Sequence, residues 1–331
     1  MPETLTRGWL PYEIAFDPRP ALVTEAAVRW IELGDAPLAE PFLDDTVRRL
    51  KGSSPPARVV ETGIDAMVRF AGALPTVTPT GLIFHISRCG STLIANAMKT
   101  AAGVTVVSES HPLTRILAVR ADSCGPYLAA RWERRRRTLV EALFTLFAHY
   151  RTGEPERLVI KFTSVNILAI ALVRSWWPDV PCVISVRDPA EVIVAGMKDG
   201  VFPSVKANPE LAQEVFGWSA PDLGDEEFCA RGIAQFLQAA LEAVDDRCKV
   251  VDYEDLNPAG MRDIAAFLGL DLPETPAAID DIFTVYSKDP TRRHRFESDR
   301  PRKQKQITPA IRGAARQCLP LYTELRSRGA W

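Results

Sequence analysis

The stretch GLIFHISRCGSTLIANAM, residues 81–98, decides the fold. Its run Leu82–Ile86 is short and mostly apolar, which is typical of a strand buried on both faces of a parallel sheet. A turn of small residues follows, and Leu93, Ala97 and Met98 then recur at helical spacing. The stretch therefore predicts a strand, a loop and a helix in that order.

The same alternation continues along the chain. Four further apolar runs predict strands at Val104–Val107, Leu158–Phe162, Cys182–Val186 and Lys249–Val251. Helical sequence lies between them, and strands that alternate with helices form a parallel sheet covered on both faces. We therefore expect an α/β fold with three layers, in which a central parallel sheet lies between helices.

Three other segments have sequence patterns that differ from this alternation. Residues 1–80 are rich in proline and contain two predicted helices, at 21–33 and 64–73, so we expect a mainly helical N-terminal extension before a domain of residues 81–331. A long helix is predicted over Tyr127–Tyr150, and we interpret its Arg134–Arg137 run as a solvated face. The stretch Val201–Gly224 has no clear period, which favours a surface excursion or a lid.

Composition limits the classes of partner. The 331 residues contain 40 Lys and Arg against 42 Asp and Glu, so the net charge of -2 gives no general attraction to nucleic acid or to an anionic membrane. The six cysteines are scattered and suggest reduced thiols rather than a zinc site. No apolar run is long enough to span a membrane, and the first residues do not resemble a signal peptide. We expect a cytoplasmic protein, and an oligomer is compatible with the sequence.

The loop 87–92, SRCGST, is a candidate anion site. It lies where a strand ends and a helix begins, so unpaired amides and the positive end of the helix dipole meet there. Gly90 allows close approach of the backbone, Ser91 and Thr92 add hydroxyl donors, and Arg88 adds a guanidinium suited to phosphate or sulfate. The loop lacks the spacing and the lysine of a Walker A motif. The alternative is that the serine and threonine only cap the helix.

A second candidate lies after the fourth strand. Arg187 follows Val186, at the strand end where open α/β sheets bind ligands. The alternative is an internal ion pair between Arg187 and Asp188. These two interpretations are open on the residues alone.

Three further polar residues fall at strand ends. Lys161 ends an otherwise apolar run, and a buried ammonium needs an anionic partner unless it reaches the surface. Glu109 and His111 follow the second strand. Either could serve as a general base, and the titration range of histidine suits that task. The structural alternative for this segment is that Ser108 or Ser110 caps the N-terminus of the helix that follows.

Four blocks, in this order, resemble the sulfotransferase superfamily that uses 3'-phosphoadenosine 5'-phosphosulfate (PAPS). The first is Arg88–Thr92, which resembles the donor loop, and the second is the segment after Arg187. The third runs from Tyr253 into residues 267–270, FLGL, and the fourth is the basic segment 288–305, as in the tyrosylprotein and bacterial-type branches. The resemblance implies a domain like that of the P-loop NTPases.

The resemblance also implies roles for single residues. The donor's 5'-phosphosulfate would be held by Arg88, Cys89, Gly90, Ser91, Thr92 and Leu93. The 3'-phosphate would be held by Arg187. The family has a second phosphate-binding residue, a serine, at the position of Ala195, and because alanine lacks the hydroxyl, Lys198 would take the role of that serine. Tyr253 would lie beside the nucleotide. Ser287, Arg302 and one of Lys303 or Lys305 would close over the 3'-phosphate.

The chemistry that follows is in-line transfer of a sulfuryl group, with PAP as the product and without a metal. Glu109 ranks first as the base and His111 second, while Lys161 would lie near the transferring group. The acceptor would be a hydroxyl or amine of a small molecule or peptide. Two other functions are weighed: a kinase, disfavoured by the missing Walker lysine, and a nucleotide-binding protein without activity.

Overall fold

The computed structural model describes residues 5, 7–15, 26–119, 126–151, 157–274, 276–291, 293–295 and 299–329. The described residues do not include Cys124, residues 21–25 of the first predicted helix, or positions 292 and 296–298 of the basic segment. The described residues form two sheets. One is antiparallel and belongs to the N-terminal extension, and the other is the five-stranded central sheet.

All five predicted strands are present in the central sheet and all are parallel. They are β4 (Gly81–His85), β5 (Val104–Ser108), β6 (Arg157–Lys161), β7 (Cys182–Val186) and β8 (Cys248–Asp252), numbered after three strands of the extension. Their order in space is β5-β6-β4-β7-β8. The strand β4 therefore lies in the middle, and it carries the loop 87–92 to the centre of one sheet edge.

Helices cover both faces of this sheet, which confirms the three-layer α/β/α arrangement. In β4, Ile83 packs with helix α3 (Ser91–Met98) on one face, while Leu82 and Phe84 belong to the larger cluster on the other face. This is the alternation that a strand imposes on its side chains. After α1 and α2 of the extension, the helices are α3 (Ser91–Met98), α4 (His111–Ala118), α5 (Pro126–His149), α6 (Ile170–Trp176), α7 (Pro189–Asp199), α8 (Val201–Lys206), α9 (Pro209–Phe216), α10 (Asp225–Ala243), α11 (Pro258–Phe267), α12 (Pro276–Thr284), α13 (Arg300–Gln306), α14 (Pro309–Ala315) and α15 (Leu319–Arg328).

The long helix α5 agrees with the prediction except at one arginine. Trp132, Leu139 and Phe147 are buried on its predicted apolar face. Arg136, however, is only 7% exposed. It donates to the carbonyl oxygen of Leu117 in the last turn of α4 at 3.4 Å and to that of Val119 just beyond it at 3.0 Å. The run 134–137 is therefore not solvated throughout, because one guanidinium satisfies carbonyls that a helix end leaves unpaired.

The prediction of a mainly helical extension is wrong. The described residues between 9 and 63 form three antiparallel strands in the order β1-β2-β3, and only part of the described extension is helical. Ala27–Glu32 was predicted as helix and is strand β2, where Val28 and Trp30 are buried while Arg29 between them is exposed. The elements are β1 (Trp9–Ala15), β2 (Ala27–Glu32), α1 (Leu43–Lys51), β3 (Val59–Gly63) and α2 (Ile64–Gly72), the last of which confirms the second predicted helix.

The segment after Gly200 is also more regular than the sequence suggested. It forms α8 and α9, and Phe202 and Phe216 are buried with their rings stacked at 6.2 Å between centroids. This small aromatic cluster fixes the segment against α10. No helix among the described residues has the length and apolar character that crossing a membrane requires.

Candidate active site

A cavity of about 710 Å³ lies at the carboxyl edge of the central sheet. Each of the five strands contributes a side chain at or directly after its last residue, and these are His85, Glu109, Lys161, Arg187 and Tyr253. Parallel strands place their carboxyl ends at one edge, which is where ligands bind in open α/β sheets. Four of these five were predicted from the sequence as site residues, and the structure brings them into one cavity.

The loop 87–90 has an unusual backbone. Ser87, Arg88 and Gly90 have φ angles of 83°, 54° and 84°, in the left-handed region. A Cβ atom on Gly90 would lie 2.2 Å from Cδ1 of Leu256 and 3.0 Å from Cδ2 of Tyr253, so both conformation and space require glycine there. Left-handed non-glycine residues are strained, and such strain is concentrated at functional sites.

The helix α3 begins directly after this loop. Gly90 is its N-cap and offers no side-chain cap, while Ser91 and Thr92 lie inside the first turn and are nearly buried. The capping interpretation of this serine and threonine is therefore wrong. The cavity is lined by residues 87–93, so the first amides of α3 face a space that could hold an anion.

Cys89 anchors the loop to strand β7. Its thiol donates to the carbonyl oxygen of Ser185 at 3.0 Å, and the hydroxyl of Ser185 donates to the carbonyl oxygen of Cys89 at 2.7 Å. Burial raises the pKa of the Cys89 thiol, so it remains neutral. Its side chain therefore positions the loop.

Arg187 is held by several groups at once. Its Nε donates to Oε2 of Glu191 at 2.7 Å, its Nη2 donates to Oδ1 of Asp299 at 2.8 Å, and its guanidinium stacks 3.9 Å from the ring centroid of Tyr253. Asp188 does not pair with it. That carboxylate instead accepts from the amides of residues 190 and 191 and caps α7, so the alternative of an Arg187–Asp188 pair is wrong.

The helices α7 and α13 form the wall on the Arg187 side. Ala195 and Lys198 line the cavity from α7, with Ala195 buried and Lys198 exposed. Arg302 and Lys303 line it from α13, together with Ser287 from the preceding segment. Among the described residues that line the cavity, Lys303 is present and Lys305 is absent. This favours Lys303 of the two lysines between which the sequence could not decide.

Glu109 and Lys161 form a hydrogen-bonded ion pair at the ends of β5 and β6. Lys161 is 1% exposed, so its ammonium does not reach the surface as one interpretation of the sequence allowed. Glu109 has a φ of 54°, and its amide donates to the carbonyl oxygen of Lys161 at 2.8 Å. Backbone and side chain together hold this carboxylate at the cavity.

The other candidate base is placed differently. His111 is the first residue of α4 and is not among the described residues that line the cavity. Burial lowers the pKa of its imidazole below the ordinary value. Ser110 accepts from the amide of Leu113 and caps α4, as the structural alternative proposed. The cavity therefore favours Glu109 over His111 by position.

His85 was not identified from the sequence, although it is the polar residue at the end of an apolar strand. The amide of Ser87 donates to its Nδ1 at 3.2 Å, which leaves Nε2 to donate to the carbonyl oxygen of Phe162 at 3.0 Å. Burial and the ammonium groups of Lys161 and Lys288 lower the pKa of His85 well below its ordinary value. The imidazole is therefore neutral and fixed in one tautomer.

Lys288 was named only as part of the basic segment, yet it lines the cavity beside Ser287. Burial, followed by the charges of Arg88 and Lys161, lowers the pKa of Lys288 to about 8. Its ammonium and that of Lys161 lie 5.9 and 5.2 Å from the ring centroid of Phe42. Phe42 comes from the N-terminal extension, which thus contributes to the surroundings of both lysines.

The described lining of the cavity is strongly cationic. It contains eight lysines and arginines against three carboxylates, so the local excess of positive charge is five. The cations are Arg88, Lys161, Arg187, Lys198, Lys288, Arg295, Arg302 and Lys303, and the carboxylates are Glu109, Asp199 and Asp299. Because the whole chain carries a net charge of -2, this excess is a property of the site. Such a cavity can bind a polyanion.

The chain is similar at low sequence identity to several solved structures, three of which follow. A sulfotransferase from Alicyclobacillus acidocaldarius is 14% identical, with a TM-score of 0.41 over 76% of this chain and 99% of that chain. The sulfotransferase domain from the curacin biosynthetic pathway is 14% identical, with a TM-score of 0.45 over 73% and 98%. Retinol dehydratase in complex with androsterone and inactive cofactor PAP is 13% identical, with a TM-score of 0.36 over 97% and 98%.

The family model is the stronger finding. No curated protein sequence matches the chain. The model of the sulfotransferase family matches residues 82–274, which is more than half of the chain and extends from the second residue of β4 beyond β8, with the loop 87–92 included. The chain therefore belongs to the sulfotransferase family.

Proposed function

We propose that the chain transfers a sulfuryl group from PAPS to a hydroxyl or amine of an acceptor, a small molecule or a peptide. The observation that carries this proposal is the cationic cavity in which the loop 87–92 and Arg187 lie side by side. The Nη1 of Arg187 donates to the carbonyl oxygen of Arg88 at 3.4 Å, so the two arginines belong to one site. A nucleotide with anionic groups at both its 5' and 3' positions needs such a pair of neighbouring anion-binding groups.

The residues present fit this donor. Amides of α3 and the side chain of Arg88 would hold the 5'-phosphosulfate, with Ser91 and Thr92 as further donors. Arg187, Lys303, Arg302 and Lys198 would hold the 3'-phosphate, and Tyr253 would contact the nucleotide. The volume of about 710 Å³ falls in the range of small-molecule sites, roughly 300–1,000 Å³.

When bound, PAPS supplies an activated sulfuryl group. Glu109 accepts the proton of the acceptor, and Lys161 keeps that carboxylate in place. Arg88 and Lys288 bring positive charge to the oxygen that departs with the phosphate. His85 is neutral, and its Nε2 lies 3.9 Å from Oε1 of Glu109. It therefore supports the base without competing with it for the acceptor's proton.

Binding of PAP tests the donor. We expect isothermal titration calorimetry to show that the protein binds PAP, and that R187M and R88M each weaken this binding by about tenfold or more, since each removes a charge-assisted contact. The matched control is R134M, because Arg134 is exposed on α5 and lies away from the cavity. Failure of the parent protein to bind PAP would contradict the proposal.

Labelled donors separate the alternatives. We expect transfer of labelled sulfur from PAPS to a member of an acceptor panel, with PAP as the co-product. Transfer of the γ-phosphate of ATP instead would support the kinase. Tight PAP binding by the folded protein together with unchanged PAPS across the panel would favour a nucleotide-binding protein without activity.

A further inference from the structure

The carboxylate of Asp299 bridges two cations of the cavity. Its Oδ1 accepts from Nη2 of Arg187 at 2.8 Å, and its Oδ2 lies 2.9 Å from Nζ of Lys303. Arg187 and Lys303 are 3% and 5% exposed at their side chains, whereas Asp299 is 29% exposed. One anionic group with an oxygen on each of two buried cations is the arrangement in which these cations would also hold a phosphate.

Asp299 is not the partner that fixes Arg187. Nε and Nη2 of Arg187 both lie within 2.7 Å of Oε2 of Glu191, a carboxylate that is 2% exposed at its side chain. The guanidinium is also stacked on Tyr253 and donates to the carbonyl oxygen of Arg88. Arg187 would therefore keep its position and its buried counter-ion if Asp299 moved away, and only the side facing Asp299 would become available.

Asp299 and a bound phosphate cannot both occupy Arg187 and Lys303, because the two negative groups repel each other. Burial opposes ionisation of Asp299, but hydrogen bonds from Lys303 and Arg187 outweigh it and lower the pKa of the carboxyl below its ordinary value. Asp299 is therefore negative at neutral pH. It lines the cavity, so a phosphate dianion on the same two cations would meet a like charge at short range.

We propose that Asp299 is an internal counter-ion which the donor's 3'-phosphate displaces from Arg187 and Lys303, and that it thereby sets the affinity for 3'-phosphorylated nucleotides. The inference rests on the proposed function and identifies a specificity-determining residue of the same site. Asp299 weakens binding of the donor and of PAP. It also returns to the two cations when PAP departs, which favours product release.

The direction in which one substitution changes the affinity for PAP tests this proposal. In calorimetry with PAP and with 5'-AMP, which lacks the 3'-phosphate, we expect D299N to bind PAP about tenfold more tightly and AMP within about twofold of the parent. D299E keeps the charge and is expected to keep the parental ratio of the two affinities. If D299N did not fold, as judged by thermal unfolding, D299S would give the same comparison.

A matched control is Asp199, which is 30% exposed at its side chain and lies 3.0 Å from Nε of Arg88. D199N is expected to change PAP and AMP binding alike, because Arg88 serves the 5' group that both nucleotides share. Weaker or unchanged PAP binding by D299N, or equal tightening for both nucleotides, would overturn the inference. A parent protein that binds neither nucleotide would instead refute the proposed function.

Discussion

Glu109 is the residue on which the proposed chemistry depends most directly. We expect E109Q to lower kcat by roughly 10²–10⁴-fold, the usual contribution of a general base, while PAP binds with nearly parental affinity. Steady-state rates with an acceptor identified by screening would measure the first effect, and calorimetry the second. H111N is the comparison, because His111 does not line the cavity. Should H111N lose activity and E109Q retain it, the base would be His111.

Lys288 gives the donor site a pH dependence. Its pKa is lowered to about 8 by burial and by the charges of Arg88 and Lys161, so the ammonium is present below that pH and lost above it. Positive charge favours a bound anion, and PAP affinity should therefore fall as pH rises through about 8. We expect a decrease of about threefold to tenfold between about pH 7 and about pH 9.5.

The variant K288M isolates this effect. Calorimetry across the same pH range should show weaker PAP binding than the parent at about pH 7 and an almost flat profile above it. K198M serves as the control, since Lys198 also lines the cavity but is exposed. It is expected to weaken binding and to retain the fall with pH. A parental pH profile in K288M would show that another group titrates.

The residues of the site divide into those a sequence can locate and those it cannot. Glu109 and Arg187 directly follow strands and Lys161 ends one, and parallel strands end at one edge, so the convergence of these residues was predictable. Asp299 pairs with Lys303 four residues further on, but it lies 112 residues from Arg187, and nothing in the sequence indicates this second partner. The sequence does not single out His85, because the apolar run continues to Ile86 and, unlike an ammonium, a neutral imidazole can be buried without an anionic partner.

The loop between β4 and α3 is the element whose backbone the site needs most. We expect G90A to lower the free energy of unfolding by roughly 2–4 kcal/mol, because alanine at a φ of 84° is strained and its Cβ would press on Leu256 and Tyr253. Urea denaturation measures this. G103A is a matched control, since Gly103 has a φ of 64° but nothing within 4 Å of a Cβ. G103A should lower the free energy of unfolding by about 1 kcal/mol.

Equal losses in G90A and G103A would mean that the neighbours of Gly90 yield without penalty. The two variants also differ in what they do to function. G90A should weaken PAP binding because the amides of the loop shift, whereas G103A, which precedes β5, should leave the calorimetric affinity within about twofold of the parent.

Strands were predictable where the burial of their residues allows only one interpretation of the hydrophobic pattern. The five central strands are short, mostly apolar and largely buried, and each was identified from the sequence to within one or two residues. Strand β2 was misread because it has only six residues. Val28 and Ile31 fit a helical period, while Val28 and Trp30 fit the alternation that the structure shows. In so short a half-exposed strand the two periods cannot be separated by pattern.

At the scale of the whole molecule, the extension and the central sheet share one apolar cluster. Trp30 of β2 and Phe84 of β4 belong to it, together with Leu143 of α5, the helix that connects β5 to β6 with α4. The hydroxyl of Tyr150 donates to the carbonyl oxygen of Ala36 at 3.0 Å and joins the end of α5 to the extension. This continuity favours cooperative unfolding of the two parts.

Trp30 allows that cooperativity to be tested. It is fully buried, its Nε1 donates to Oγ1 of Thr62 at 2.9 Å, and its ring meets Phe70 edge to face at 5.9 Å. We expect W30A to lower the free energy of unfolding by about 3–5 kcal/mol, seen as one transition shifted down by about 5–10 °C. Circular dichroism and PAP-dependent stabilisation should report the same midpoint.

The control for this variant is V59A on the neighbouring strand β3, because Val59 is 44% exposed and should contribute less than about 1 kcal/mol. If the extension were an independent unit, W30A would produce a separate early transition and leave the later one, with its response to PAP, at the parental temperature. Phe42 lies beside Lys161 and Lys288, so an early loss of the extension would also expose the base and its lysine before the sheet unfolds. A single transition therefore means that the catalytic surroundings persist until the whole fold is lost.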